Sequence, residues 1–382
     1  MGHPWEQRKL GSITTRILRK NKNLESELPL TISAQDGLVD QETFFNKRVA
    51  GKDLEKYLLI RNGEFAYNKS YSAGFPWGAV KRLEKYEKGV VSSLYILFSA
   101  VENKVDPIFL ETYFETDRWY DEMRIRAAEG ARNHGLLNIP ASDFFDINIK
   151  LPSLDEQVMV GEFFVNLNHL ITLHQRQLEE LKNLKSGLLQ KMFPKTGKQI
   201  PDIRFPGFTE PWEQRKLRNI SELITGGTPN TKRDDYWSPP EIPWMASGEI
   251  NKKLINQPSR YISKLGFENS SSKWVPKNSV LIALAGQGKT RGMCAYTTIP
   301  ITINQSLAAV VPNSLVNPKF LLYDLERRYE DLRAMSSGDV TRGGLNKALL
   351  ADLTVNLPSL KEQTRIGEIF RDLEDLITLH QR

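Results

Sequence analysis

The sequence predicts an α+β protein: two tandem mixed α/β domains carried on long helices. Two observations predict it. Three short segments recur at an almost constant offset, and a long-period repeat fixes architecture before any element is assigned. Between the repeated segments, short apolar runs broken by Gly, Asn, Ser and Pro read as strands and turns, whereas the segments themselves lead into a heptad-spaced helical pattern.

The repeat comes first. Pro4-Trp5-Glu6-Gln7-Arg8-Lys9-Leu10 recurs as Pro211-Trp212-Glu213-Gln214-Arg215-Lys216-Leu217. Leu151-Pro152-Ser153-Leu154 recurs as Leu357-Pro358-Ser359-Leu360, and Ile171-Thr172-Leu173-His174-Gln175-Arg176 as Ile377-Thr378-Leu379-His380-Gln381-Arg382. The offsets are 206 or 207 residues, so whole modules are repeated. Residues 11–145 and 218–350 share almost no identity: the frame is constant and the insert varies. The repeat sets boundaries at 1–150 for the first domain, 151–193 for a central helix, 194–217 for a connector rich in proline, 218–356 for the second domain and 357–382 for a distal helix.

Each helix opens on a capping box, Ser153 with Glu156 and Ser359 with Glu362. Positions 164, 167, 171, 174, 178, 181, 185, 188 and 192 then form a seam, apolar except at His174 and Lys185. From Val160 to Met192 the rod spans about 50 Å, the length of a spacer. His174 has no His or Cys near it at ligand spacing and reads as a packed or surface histidine rather than a metal ligand. The second copy stops at Arg382 in mid-pattern, where the first predicts continuation like Gln177 to Met192, so the end reads as a trimmed or early-stopped chain.

The chain has 382 residues, 26% of them charged, with a mean hydropathy of −0.42. No stretch approaches the run of about 18 apolar residues that a membrane helix needs. The N-terminus has no apolar signal core and Cys294 is the single cysteine, which predicts a reducing cytoplasm and no membrane contact. The net charge of +6 is compatible with a polyanionic partner. Its distribution is more telling, because residues 218–350 hold 17 Lys+Arg against 11 Asp+Glu while residues 11–145 hold 19 of each.

In the second insert, Thr225-Gly226-Gly227-Thr228-Pro229-Asn230-Thr231-Lys232-Arg233 precedes Tyr236, Trp237 and Trp244. These residue types approach phosphates and base edges. A polar surface loop over an aromatic core is an equally good reading. Ala283-Leu284-Ala285-Gly286-Gln287-Gly288-Lys289-Thr290 resembles a phosphate-binding nucleotide loop, but the strand- and turn-like Arg291 to Pro300 replaces the helix such a loop requires. It is expected instead to present Lys289, Thr290 and Arg291 to DNA, the alternative being a flexible loop with solvated charges. The candidate DNA-binding set adds Thr228, Asn230, Thr231, Lys232, Arg233 and Arg342 in the second insert. In the first it comprises Asn68, Lys69, Ser70, Tyr71, Lys81, Arg82 and Arg132. Ser238-Pro239-Pro240-Glu241 lacks the final aromatic of an amino-methyltransferase motif, and the five histidines show no metalloprotease or nucleophile–base spacing. No catalytic constellation is expected, which argues against an enzyme.

With its paired Leu-Pro-Ser-Leu-(Asp/Lys)-Glu-Gln frames, its Ile-Thr-Leu-His-Gln-Arg helices and Gly226-Gly227-Thr228-Pro229 followed by Ile303-Asn304-Gln305, the chain resembles the specificity subunits of type I restriction-modification systems. The resemblance implies two target-recognition domains, each reading half of a split site in double-stranded DNA, and conserved helices pairing as an antiparallel coiled coil in a pseudo-twofold repeat. It further implies a non-catalytic chain whose helices dock two modification subunits and which assembles with restriction/translocase subunits. S-adenosylmethionine, ATP and Mg2+ would belong to those partners, with no cofactor or metal in this chain. The competing reading is a coiled-coil adaptor whose inserts bind protein.

Overall fold

The computed structural model describes residues 5–33, 35–51, 53–71, 74–126, 137, 139–286, 289–335 and 345–381. They form two compact units, Met1–Thr172 and Leu173–Arg382. The border lies inside the long helix Leu154–Lys191, ahead of the proline-rich connector. Packing explains its place. The second half of the helix lends Leu181, Leu188 and Leu189 to the core formed by Met192, Phe193, Phe320, Ile366 and Phe370.

Each insert is closed at its root by the repeated frame. Strand Glu6–Lys9 pairs antiparallel with Asn148–Leu151, Glu6 opposite Leu151. In the second unit Glu213–Lys216 pairs antiparallel with Thr354–Leu357, Glu213 opposite Leu357. The Leu10 N–H donates to Ile147 O at 2.9 Å and the Leu217 N–H to Leu353 O at 2.8 Å. Lys9 Nζ donates to Asp146 O at 2.9 Å, and Lys216 Nζ to Asp352 O at 2.7 Å. The ends of each insert are therefore fixed by backbone bonds, which tolerate almost any side chain. The residues between them can diverge without disturbing the frame.

The first insert is built on a four-stranded antiparallel sheet in the order Thr14–Ile17, Ile96–Ala100, Phe65–Asn68, Ala79–Arg82. An aromatic core of Phe65, Tyr67, Phe98, Phe114, Trp119 and Phe144 covers it. The second insert has two sheets. Ser221–Thr225, Leu307–Pro312, Ser279–Ala283, Cys294–Thr297 and Leu254–Ile255 form one; Arg260–Ile262, Ile242–Met245, Ile301–Ile303 and Trp274–Val275 form the other. Met245, Ile250, Ile255, Val275 and Ile303 make a core separate from the one shared with the helices.

The helix Leu154–Lys191 extends about 57 Å at 1.5 Å per residue. Half of each expected capping box is present: the Glu156 N–H donates to Ser153 Oγ at 3.4 Å and the Glu362 N–H to Ser359 Oγ at 3.3 Å. The glutamate side chains are drawn elsewhere. Glu156 accepts from Trp5 Nε1 at 3.2 Å, whereas Glu362, buried, accepts from Arg204 Nε and Nη2 at 2.7 and 2.8 Å.

In the second unit the central helix runs antiparallel to the distal helix Leu360–His380. His174 meets His380, Lys185 pairs with Glu374, and Phe193 stacks near Phe370. Lys185, the charged interruption of the seam, is buried there between Glu326 and Glu374. In the first unit the seam positions Phe164, Leu167 and Ile171 are exposed.

A helix of each insert docks on its frame helix in the same way. Asp106 caps Pro107–Phe114 and Asn317 caps Pro318–Glu326, each with proline in the first turn. Their N-termini press into notches at Gly161 and Gly367, where an added Cβ would lie 3.1 Å from Phe109 N and 3.2 Å from Phe320 N. Among the described residues, no helix is long and apolar enough to cross a membrane.

Candidate nucleic-acid interface

In the second unit the chain leaves strand Ser221–Thr225 through Gly226 and Gly227 and passes tightly over the inner sheet. A Cβ on Gly226 would fall 1.7 Å from Ile303 O, and one on Gly227 2.1 Å from Ser271 Oγ. The Gly227 N–H donates to Ile303 O at 2.9 Å, while Gly227 O accepts from Trp244 Nε1 at 3.0 Å and Ser272 Oγ at 2.9 Å. The glycines are thus required by the packing of the insert itself. The surface polar-loop reading and the binding reading meet here, since the anchored glycines hold the exposed stretch from Thr228 to Arg233 in place.

Thr228 Oγ1 donates to Gln305 Oε1 at 2.6 Å. Next to Gln305, Ser306 O accepts the Leu284 N–H at 2.9 Å, where the second candidate loop begins. The Ile303-Asn304-Gln305 segment therefore joins the 226–233 opening to the 284–292 loop. These two stretches, far apart in sequence, share one rim.

On that rim Asn230, Thr231, Lys232, Arg233 and Lys289 are exposed, and Thr228, Thr290 and Arg291 are half-buried. Asn230 Oδ1 accepts the Lys232 N–H at 3.0 Å, a local turn that presents Lys232. Arg233 is committed to Asp235 (Nε to Oδ1, 2.8 Å) and lies over the Tyr236 ring at 4.7 Å. The guanidinium holds the Asp235 carboxyl below its ordinary range. Lys289 is anchored by its backbone, its carbonyl accepting from Tyr329 Oη at 2.5 Å, so its side chain stays at the surface. Gln287, Gly288 and Arg342 lie outside the described residues.

Sequence reasoning missed a cleft of about 390 Å³ lined by Thr231, Asp234, Trp237, Ser238 and Arg260. Trp237 stands edge-on to Trp244 with centroids 5.2 Å apart, and its Nε1 donates to Asn230 O at 3.3 Å. Arg260 enters from the strand beside Ile242–Met245, a juxtaposition no spacing announces.

The first unit is more selective about its candidates. Asn68, Lys69 and Ser70 are half-buried and Tyr71 is exposed. Asn68 Oδ1 accepts the Ser70 N–H at 3.1 Å and Lys69 Nζ donates to Ile139 O at 3.2 Å. Two candidates are held by carboxylates. Lys81 is buried and paired with Glu115, and Arg82 is held by Glu111 at 2.7 Å and by Glu84. Their charges fasten strand Ala79–Arg82 to the docking helix. Burial pushes the Glu111 carboxyl up, an effect the Arg82 guanidinium only partly offsets. Arg132 lies outside the described residues.

Residues 209–382 match the family described as type I restriction modification DNA specificity domain. The chain is similar to the specificity subunit of the type I restriction enzyme EcoR124I/EcoR124II of Escherichia coli, 26% identical over 43% of this chain and 41% of that protein. It thus spans about two fifths of that relative's length. It is also 21% identical to the MjaVIII specificity subunit of Methanocaldococcus jannaschii over 86% of this chain and 77% of that one. In fold it resembles the type I S subunit of M. genitalium, with a TM-score of 0.58, 14% identity, and coverage of 99% of this chain and 91% of that chain.

Proposed function

We propose, from the type I restriction modification DNA specificity domain in residues 209–382 and the specificity-subunit fold of the chain, that this protein is the sequence-reading subunit of a type I restriction-modification enzyme. Each insert reads one half of an interrupted duplex site, and the helices space the halves and receive two modification subunits and the restriction/translocase subunits. The chain itself performs no catalysis. S-adenosylmethionine serves the modification subunits, ATP and Mg2+ the restriction subunits. The bacterial cytoplasm, where the DNA lies, is the compartment this reading requires.

One observation carries the proposal: the same two-stranded root and the same docking notch hold two dissimilar inserts. Identical supports with unlike surfaces suit two unlike half-sites. The rim of Asn230, Thr231, Lys232 and Lys289 supplies the exposed amide, hydroxyl and ammonium groups, of the kinds that contact phosphates and base edges, with Thr228 half-buried beside them. The likeness to DNA specificity subunits favours this over an adaptor with protein-binding inserts.

The test is an exchange. Residues 218–350 are replaced by the second insert of another specificity subunit, and adenine methylation is mapped in a host carrying the assembled system. One half of the methylated motif is expected to change while the other persists; a motif that is wholly new or unchanged would overturn the proposal.

A further inference from the structure

A cluster of charges fastens the second insert to the helical pair. Lys253 ends the short helical turn Ser247–Lys252 in the insert's own core layer, between Ile250 and Ile255. Its ammonium lies 2.9 Å from Glu374 of the distal helix and 3.0 Å from Glu326 of the docking helix. Lys185 of the central helix meets the same two carboxylates, Glu326 at 2.8 Å and Glu374 beside it, and lies over the Tyr323 ring at 5.5 Å. Four charges from four segments thus share one partly buried site, and each carboxylate is divided between a lysine of the insert and a lysine of the helix.

The backbone at Lys253 makes this position unusual. Its φ of 58° and ψ of −45° lie outside the left-handed well, in a region where glycine is at ease and an L side chain is strained. The carbonyl accepts the Tyr296 N–H at 2.7 Å, which holds the strained turn on strand Cys294–Thr297. Glycine would fit the turn at lower cost; only lysine brings an ammonium to Glu326 and Glu374.

We propose that the Lys185–Lys253–Glu326–Glu374 junction is a positioning device that fixes the angle of the second insert on the helical pair, and thereby the length of the unread gap between half-sites. The gap rests on the DNA-reading proposal; the fixed angle does not. Lys253 and Glu374 act through the orientation of the reading surface rather than by touching DNA.

Lys253→Gly suits the backbone and removes the side chain with its ammonium, and Glu374→Gln removes the charge from the other partner. The full chain is assembled with its modification subunits, and methyl transfer is measured on duplexes with the wild-type gap and with gaps one base pair shorter and longer. The wild-type complex prefers its own gap; in Lys253→Gly and in Glu374→Gln this preference falls about tenfold, while Lys253→Gly still unfolds in one cooperative transition. In parallel, spin labels at Lys264 and Glu368, both exposed, report the distance from insert to distal helix. Its distribution broadens in both variants. A distribution as narrow as wild type in Lys253→Gly overturns the fixed angle, and unchanged gap preference overturns the link to spacing. A wild-type complex with no defined motif refutes DNA reading instead, and the label distances still decide the fixed angle.

Discussion

Gln363 accepts the backbone N–H of Asn317 at 2.8 Å, and in the first module Gln157 accepts that of Asp106 at 2.9 Å. The amide nitrogens turn the other way, Gln363 Nε2 donating to Pro358 O at 2.9 Å and Gln157 Nε2 to Pro152 O at 2.9 Å. One buried side chain thereby ties three things: the end of the root strand, the start of the frame helix and the cap of the docking helix. The glutamine of the Leu-Pro-Ser-Leu-x-Glu-Gln frame is a mortise for the insert.

Gln363→Ala leaves the part-buried Asn317 N–H, the buried Pro358 carbonyl and the part-buried Leu315 carbonyl without their partner, since Nε2 also reaches Leu315 O at 3.2 Å. Each such group costs about 1–3 kcal/mol, and partial relaxation brings the sum to about 2–4 kcal/mol. Chemical denaturation of the variant is expected to show that loss. A loss under about 1 kcal/mol would mean that the docking helix is held by its apolar contacts alone.

The frame was legible in part because it repeats: both helices start where Ser153 and Ser359 put them, whereas the root strands lie in repeated segments whose sequence announces no alternation and were not read as strands. The site was legible only in part. Gly226 and Gly227 signal a close approach, but a glycine pressed on Ile303 O looks in sequence like one pressed on a phosphate. Lys81 and Arg82 read as available charge because their partners Glu115 and Glu111 come from a helix thirty residues onward. Arg260 and Trp237 line one cleft only after two sheet strands are brought side by side.

Arg204 and Glu362 form a buried ion pair with side chains 13% and 1% exposed. A buried pair loses more when one partner is removed than when both are, because the survivor is stranded in a poorly solvating environment. Arg204→Met and Glu362→Gln are expected to destabilise the second module unequally, the arginine change by about 3–5 kcal/mol because it leaves the full carboxylate behind. Arg204→Met combined with Glu362→Gln is expected to recover part of that loss. Additive effects in the double-mutant cycle would show that the two groups do not depend on each other.

The same junction that holds Lys253 gives the second module an acid limit. Burial pushes the Glu374 carboxyl up, but the Lys185 and Lys253 ammonium groups outweigh it and hold the group below its ordinary value of 4.5. A carboxyl with a lowered folded pKa adds stability above its unfolded value, and that stability is lost as pH falls through the folded one. Unfolding followed from pH 7 downward is therefore expected to show a Glu374-dependent loss only below about pH 4.5. Glu374→Gln removes it, so the variant's stability starts lower at pH 7 and falls less steeply in acid. Parallel profiles for variant and wild type would show that the carboxyl is not held charged by the lysines.

Lys289 and Lys232 are the exposed ammonium groups on the two stretches that Gln305 and Ser306 bring together. A lysine against a phosphate displaces a condensed counterion, so its removal weakens binding to every sequence alike and lowers the log–log salt slope by about one per contact. A residue on a base edge behaves differently, relaxing one position of the motif by about 1–3 kcal/mol with the salt slope unchanged. Lys289 has its backbone fixed by Tyr329 but a flexible, solvated side chain, the arrangement of a phosphate contact. Lys289→Ala is thus expected to reduce affinity for cognate and scrambled duplex equally and to flatten the slope by about one. Thr231→Ala, beside the Trp237 and Arg260 cleft, is expected to spare the slope and relax a single position of the second half-site. Binding by the assembled complex across a salt series distinguishes the two, and wild-type affinity, slope and discrimination in both variants would remove this rim from the interface.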